Sequence, residues 1–236
     1  MNYGTLYIIA TPIGNLGDIS YRAVETLKNI DILFAEDTRT TKKLLDTYNI
    51  QVKTYSYNAH ASNKTHQEVL RHLTEGKNIG LVSDAGTPGI SDPGSLLVSF
   101  IYEELRNTVS IVPIPGASAL TAIVSICPLD TSTWTFYGFL PHKKGRQTLL
   151  EEIRELPHTA VFYESTHRII KLLEQLVDIF KDSDKQITIG RELTKKFEDI
   201  YTGTFEEALA YITSTSVKQK GEFVICIGKL VAYKKK

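Results

Sequence analysis

Apolar residues in the first half of the chain fall into short continuous runs, separated by stretches where they recur every three or four positions. The runs "TLYIIA" (5–10), "IDILFA" (30–35), "NIGLVS" (78–83) and "VSIVPI" (109–114) predict buried strands. Between them, "SYRAVETLKN" (20–29, with Ser20 as cap), "TTKKLLDTY" (40–48), "NKTHQEVLRHLTEG" (63–76, closed by Gly76) and "GSLLVSFIYEEL" (94–105) predict helices. Continuous apolar strands alternating with helices imply a mostly parallel sheet covered on both faces.

"PIPG" (113–116) stops the last of these strands and marks a boundary, giving an N-terminal α/β domain over 1–114 and a C-terminal one over 115–236. The second domain opens with the apolar segment "ASALTAIVSI". There follow a strand "WTFYGF", a basic loop "PHKKGR", a helix over 147–155, a strand "TAVFYE" and a helix "HRIIKLLEQLVDIF". Strands "QITIGRE" and "FEDIYTG", a helix "TFEEALAYI" with a capping box between Thr204 and Glu207, and "EFVICIGKLV" complete it. Fewer helices separate these strands, so a mixed sheet is expected.

A chain of 236 residues with 42% apolar content suffices for two modest cores. No apolar run is long enough to span a bilayer, and "MNYGTLYIIA" lacks the features of a signal peptide, so a cytoplasmic protein with no membrane partner is expected. Cys127 and Cys226 each stand in an apolar run and read as core residues outside any metal site or disulfide framework. The formal net charge is zero, which argues against wholesale electrostatic binding of nucleic acid but leaves local patches open.

Chemistry is expected in the loops after strands, where open α/β sheets bind ligands. "TPIGNLGD" is a partial dinucleotide fingerprint: Gly14 and Gly17 fit, Pro12 replaces the first glycine, and Glu36 and Asp37 stand where a ribose-binding acid would. "SDAGTPGISDPG" (83–94) is more specific. Gly86 and Gly89 permit positive φ and close ligand approach, while Pro88 and Pro93 stiffen the loop. Asp92 also fits a helix cap followed by a proline, and Asp84 a turn residue, so neither by itself indicates catalysis. In "YESTHR" (163–168), a cap at Ser165 would put His167 and Arg168 in the first turn of a helix, against the helix dipole, an arrangement suited to a phosphate. "RELTKK" (191–196) brings Arg191, Glu192 and two lysines to another strand end, with a solvated charged loop as its plain reading.

The ordered motifs "ATPIGNLGDIS", "EDTRTTKKLL", "SDAGTPGISDPG", "PIPGASALTA", "FYGFLPHKKGR", "FYESTHR", "RELTKKFE" and "KGEFVICIGK" closely resemble the ribosomal RNA small-subunit methyltransferase I family, a branch of the tetrapyrrole methylase superfamily. The resemblance implies two α/β domains of tetrapyrrole methylase type with S-adenosylmethionine bound in a cleft between them. It also implies a homodimer and methylation of a cytidine ribose 2′-hydroxyl in the decoding region of small-subunit rRNA, either naked or in the assembled subunit. By the same resemblance Pro12, Gly14, Asp84, Gly86, Thr87, Pro88, Ile90, Asp92, Ser118, Ala119, Tyr163, Glu164, Leu193 and Glu222 would contact the donor. Where the tetrapyrrole branch reads Gly-Asp-Pro, this chain reads Gly86-Thr87-Pro88, which leaves open which carboxylate, if any, takes the aspartate's part.

Transfer to a ribose hydroxyl requires alignment of oxygen, methyl and sulfur and removal of a proton. Glu164 and His167 are the candidate bases by position. Lys143, Lys144, Arg146, Arg168, Arg191 and Lys195 are the candidate contacts to the RNA backbone. No metal is expected. A tetrapyrrole methylase, a dinucleotide-dependent oxidoreductase and a non-enzymatic RNA-binding module remain as other readings.

Overall fold

The computed structural model describes residues 3–58, 61–92 and 94–232; Pro93 and the tail from residue 233 lie outside them. The chain divides into two compact units, Met1–Ser118 and Ala119–Lys236. In the first, β1 (Thr5–Ile9), β2 (Ile32–Ala35), β3 (Lys53–Ser56), β4 (Ile79–Val82) and β5 (Ser110–Ile114) form one sheet in the order β3-β2-β4-β1-β5. Every pairing in it is parallel.

The continuous apolar runs arise because both faces are covered. From β2, Ile32 and Phe34 join a core with Val69 and Leu73 of α3 (Asn63–Thr74) and Leu97 and Ile101 of α4 (Gly94–Leu105). The alternate residues Leu33 and Ala35 join the opposite core with Ala23 and Leu27 of α1 (Tyr21–Asn29) and Leu45 of α2 (Thr38–Thr47). The helices that follow β1 and β4 therefore lie on opposite faces of two neighbouring strands, and the loops after those strands diverge at their carboxyl ends. Such a point is where α/β sheets place ligands.

Ser20 caps α1 as its position predicts, accepting a hydrogen bond from the Ala23 N–H at 3.1 Å. β3 has no counterpart in the hydrophobic pattern. It is an edge strand paired only with β2, its residues are half-buried or exposed, and so it lacks an apolar run.

The second unit holds β6 (Trp134–Phe139), β7 (Thr159–Ser165), β8 (Gln186–Arg191), β9 (Asp199–Gly203) and β10 (Glu222–Gly228) in the order β6-β7-β10-β8-β9. Only β6 and β7 run parallel; the other three pairings are antiparallel, so the sheet is mixed as expected. One face packs on α6 (Arg146–Glu155), α7 (Ile169–Ile179) and α8 (Phe205–Thr213) through Leu150, Leu172, Phe205, Phe223, Ile225 and neighbours. The Thr204–Glu207 capping box is present at the start of α8.

The apolar segment after "PIPG" is a helix, α5 (Ala119–Ile126), which packs on β10. Gly190 of β8 makes this possible: a Cβ there would lie 2.8 Å from Cδ1 of Ile123. The same packing brings together the two cysteines, 99 residues apart in sequence. Cys226 is buried, as its reading as core expects, while Cys127 is only half-buried, which corrects that reading for it; both are free thiols.

Candidate active-site loops

The loops after β1 and β4 are joined by a two-residue bridge. Thr11 N–H donates to the Gly86 carbonyl at 2.9 Å, and Gly86 N–H donates to the Thr11 carbonyl at 3.1 Å. Below it, the Thr11 hydroxyl donates to the Ser83 carbonyl at 3.2 Å. The β4 loop then turns through Gly86 at φ 83° and Gly89 at φ 87°, both in the left-handed region that glycine enters without penalty. Pro12, Gly86 and Pro88 are buried, Thr87 and Ile90 half-buried, and Gly14 and Asp84 exposed. Thr87 Oγ1 donates to the Ala117 carbonyl at 3.3 Å, tying this loop to the segment after β5 that carries the buried Ser118.

Asp92 performs the structural task that its position allows. Its Oδ1 accepts from Gly94 N–H at 3.1 Å, at the start of α4, and also from Gly89 N–H. Asp84 reaches further than its own turn, since its Oδ1 accepts from Asp37 N–H at 2.9 Å at the end of β2. The loop's N–H groups at Gly86, Gly89 and Ile90 are thus all engaged inside the unit. A cradle whose amides are already committed suits a cationic or carbonyl-seeking ligand better than a phosphate.

The dinucleotide reading meets a local obstacle. Gly14 precedes and Gly17 lies within a short 3-10 turn (Leu16–Asp18) capped by Asn15, whose Oδ1 accepts from Gly17 N–H at 3.0 Å. Helix α1 begins only at Tyr21, with Ser20 as its own cap, so the α-helix N-terminus that would face a pyrophosphate stands away from these glycines. Glu36 and Asp37 are also committed: Glu36 Oε2 accepts from Asp84 N–H, and Asp37 caps α2 and binds the Arg39 guanidinium.

Burial raises the Glu36 carboxyl above its ordinary range; the Asp84 N–H opposes this, and the neighbouring Asp84 and Asp92 charges reinforce it. A carboxyl raised in the folded state contributes stability below its ordinary pKa and loses that contribution as pH rises through the raised value. Glu36→Gln is therefore expected to stabilise the protein at pH 7, with the gain shrinking as pH falls to the ordinary carboxyl range and below. Urea midpoints of the two proteins at pH 7 and at pH 4 check this; a variant less stable at pH 7 would count against it.

In the second unit, the end of β7 is organised around Glu164. Its side chain is fully buried, and both oxygens are occupied: Oε2 accepts from Arg146 Nη2 at 3.1 Å, while Oε1 meets Arg168 Nε at 3.0 Å and Ser165 N–H at 2.8 Å. This placement corrects several expectations. Ser165 belongs to β7, the cap of α7 is Arg168, and the helix starts at Ile169, so His167 lies before the helix, while Arg168 stands at its positive end with its guanidinium paired to Glu164. Arg146 is buried beside Gln175 and the Pro141 carbonyl rather than displayed for a phosphate. Glu164 is fully buried and both its oxygens are bound to guanidiniums, an arrangement suited to holding Arg146 and Arg168 rather than to an open base. Lys143, Lys144 and His167 are exposed, and Tyr163 sits edge-on to Phe136 and Phe139.

The end of β8 is a second knot. Arg191 is buried, with its guanidinium donating to the carbonyls of Lys220 at 3.0 Å and Phe197 at 2.9 Å, so it too is withdrawn as a phosphate contact. Glu192 at φ 51° and Thr194 at φ 68° are non-glycine residues in left-handed conformations on either side of the buried Leu193. Lys195 Nζ bridges Glu192 Oε1 at 2.9 Å and Glu222 Oε2 at 2.7 Å. Burial works against its charge, but the hydrogen bonds to Glu222 and Glu192 prevail and hold the ammonium above its ordinary value. Among the described residues no group of His, Cys, Asp and Glu is placed to hold a metal ion, and no helix is long and apolar enough to cross a membrane.

Residues 5–209 match the family described as Tetrapyrrole (Corrin/Porphyrin) Methylases. A Synechocystis protein named Ribosomal RNA small subunit methyltransferase I is 45% identical over 225 residues, covering 95% of this chain and 78% of the relative. A Borrelia garinii protein of the same name is 44% identical over 95% of this chain and 98% of its own. Among solved structures, the methyltransferase CobJ superposes with a TM-score of 0.69 at 15% identity, covering 99% of this chain and 97% of that one. The similarity to the structure supports the fold, and the similarity to the sequences goes further: the chain belongs to the ribosomal RNA small subunit methyltransferase I family, within the tetrapyrrole methylases.

Proposed function

We propose that the protein transfers a methyl group from S-adenosylmethionine to the 2′-hydroxyl of a cytidine ribose in the decoding region of small-subunit rRNA. Family membership makes it a methyltransferase. A solved relative of the same fold, uroporphyrin-III C-methyl transferase from Thermus thermophilus, is described as complexed with S-adenyl homocysteine (TM-score 0.63 at 18% identity, covering 95% of this chain and 97% of that one). The observation in this chain that carries the reading is the locked β4 loop, with three amides committed inside the unit. S-adenosylmethionine has a sulfonium, an ammonium and a carboxylate but no phosphate, so a loop with few free N–H groups suits it better than it suits a pyrophosphate. When bound, it supplies an electrophilic methyl group.

Pro12, Gly14, Gly86, Thr87, Pro88, Ile90 and Ser118 are the contacts proposed from the first unit, and Ala119, Tyr163, Leu193 and Glu222 those from the second. Asp84 and Asp92 shape the loop through the bonds described above and contribute negative charge near it. His167 is the proposed base, and Lys143 and Lys144 are the proposed backbone contacts, with two copies of the chain as the working unit. Where the base acts, its loss lowers the rate about 10²- to 10⁴-fold.

The test is mass spectrometry of nuclease-digested rRNA after incubation of the purified protein with S-adenosylmethionine and either naked small-subunit rRNA or assembled subunits. One 2′-O-methylcytidine per subunit is expected. Methyl transfer to a porphyrinogen instead would move the protein to the tetrapyrrole branch, and calorimetric binding of NAD in preference to S-adenosylmethionine would restore the oxidoreductase. His167→Ala is expected to lower the single-turnover rate with both substrates saturating, and to remove a rate inflection near pH 6 to 7. An unchanged saturated rate and pH profile would leave alignment alone as the source of catalysis.

A further inference from the structure

The two lysines proposed to meet RNA stand in a loop gripped from inside the domain. Arg168 Nη2 donates to the Leu140 carbonyl at 2.5 Å, and Arg146 Nη1 donates to the Pro141 carbonyl at 3.2 Å, at the point where β6 gives way to this loop. At its other end, Arg146 N–H donates to the Lys143 carbonyl at 3.2 Å, and Gly145 at φ 82° turns the chain into α6. Lys143 and Lys144, between the two grips, are exposed. Both guanidiniums are oriented by one carboxylate, that of Glu164, with Gln175 Oε1 accepting from Arg146 Nε at 2.9 Å.

We propose that Glu164 is a positioning residue: it holds Arg146 and Arg168 so that their remaining N–H groups clamp the Leu140 and Pro141 carbonyls, and this clamp sets the backbone from which Lys143 and Lys144 reach the substrate's phosphates. The inference rests on the rRNA reading above and gives the strand-end carboxylate a task other than that of base or donor contact. A guanidinium suits the task because its planar fork donates in several fixed directions at once, which a lysine cannot do. The lysines keep their own flexibility, but the backbone carrying them does not need to be ordered on binding, so less affinity is lost to entropy.

Two variants test this. Arg168→Gln removes the grip on Leu140 yet leaves Glu164 and Arg146 as a one-to-one buried pair, so it is the variant expected to keep its fold. Glu164→Gln releases both grips. Without RNA, trypsin should cut after Lys143 and Lys144 about tenfold faster in Arg168→Gln than in the parent, because cleavage follows the population of the open loop. Affinity for naked small-subunit rRNA is then measured against salt for the parent, for Arg168→Gln, for Lys143→Ala with Lys144→Ala, and for the triple change. If the clamp acts through the loop, the lysine changes should weaken binding less in the Arg168→Gln background than in the parent, while S-adenosylmethionine affinity stays the same throughout. Equal losses in the two backgrounds would make Arg168 an independent phosphate contact and overturn the proposal, as would unchanged trypsin rates in both clamp variants. A parent that binds no rRNA would overturn the function reading, and the loop's purpose with it, whatever the trypsin rates.

Discussion

Gly86→Val is expected to destabilise the protein by about 2 to 3 kcal/mol and to weaken S-adenosylmethionine binding at least tenfold. A β-branched residue at φ 83° is in a conformation that costs roughly 1 to 3 kcal/mol outside glycine, and a Cβ there stands 3.3 Å from Cγ2 of Ile13. Relief of that strain requires Gly86 to rotate, and rotation breaks the reciprocal bonds to Thr11 that fix the loop after β1 against the loop after β4. Gly89→Ala is the natural control. It shares the left-handed φ, but the nearest atom to its Cβ is Ser95 N at 3.6 Å, so only the backbone penalty of about 1 kcal/mol applies. Urea unfolding separates the two variants, and calorimetry with the donor reads the site. A folded Gly86→Val protein with full affinity would remove this loop from donor binding.

The legible parts of the molecule are those in which a local pattern and a tertiary role coincide. Helix α4 begins at Gly94 and ends at Leu105, the residues that its apolar periodicity marks, because Leu97 and Ile101 are buried in the core on one face of the sheet. The alternating cores on the two sides of β2 account for its unbroken apolar run. Strand β3 is not legible, because an edge strand with one neighbour and no deep face needs no such run. The loop chemistry is legible as glycine and proline placement, but not the bridge that commits the Gly86 amide, which joins Thr11 and Gly86, 75 positions apart. The network around Glu164 escapes a sequence reading for a related reason. A basic loop and a strand-end "YESTHR" look alike in sequence whether their charges face solvent or one another, and here β7 carries Glu164 beneath the loop that holds Arg146. Only the exposed Lys143 and Lys144 keep the plain reading of that loop.

Arg146→Ala is expected to act on stability first, the opposite of what a surface phosphate contact would do. Removing one partner of a buried ion pair costs about 3 to 5 kcal/mol when the charge left behind has no compensation. Glu164 would retain Arg168 at 3.0 Å, so the lower end, about 3 kcal/mol, applies, together with loss of the bonds to Gln175 and the Pro141 carbonyl. Glu164→Gln should be worse, since it leaves two guanidiniums side by side in the interior with no counter-charge. Lys143→Ala with Lys144→Ala should change stability by no more than about 0.5 kcal/mol, because both side chains are exposed. That double change should instead lower the slope of log affinity for rRNA against log salt by about 0.7 to 0.9 for each phosphate that is no longer neutralised. The variants must therefore separate in a paired experiment, with Arg146→Ala shifting the urea midpoint and the lysine pair shifting the salt slope. If Arg146→Ala left the midpoint in place and lowered the salt slope by the amount that one phosphate accounts for, its guanidinium would be reaching phosphate, and the buried pair with Glu164 would not be its resting state in solution.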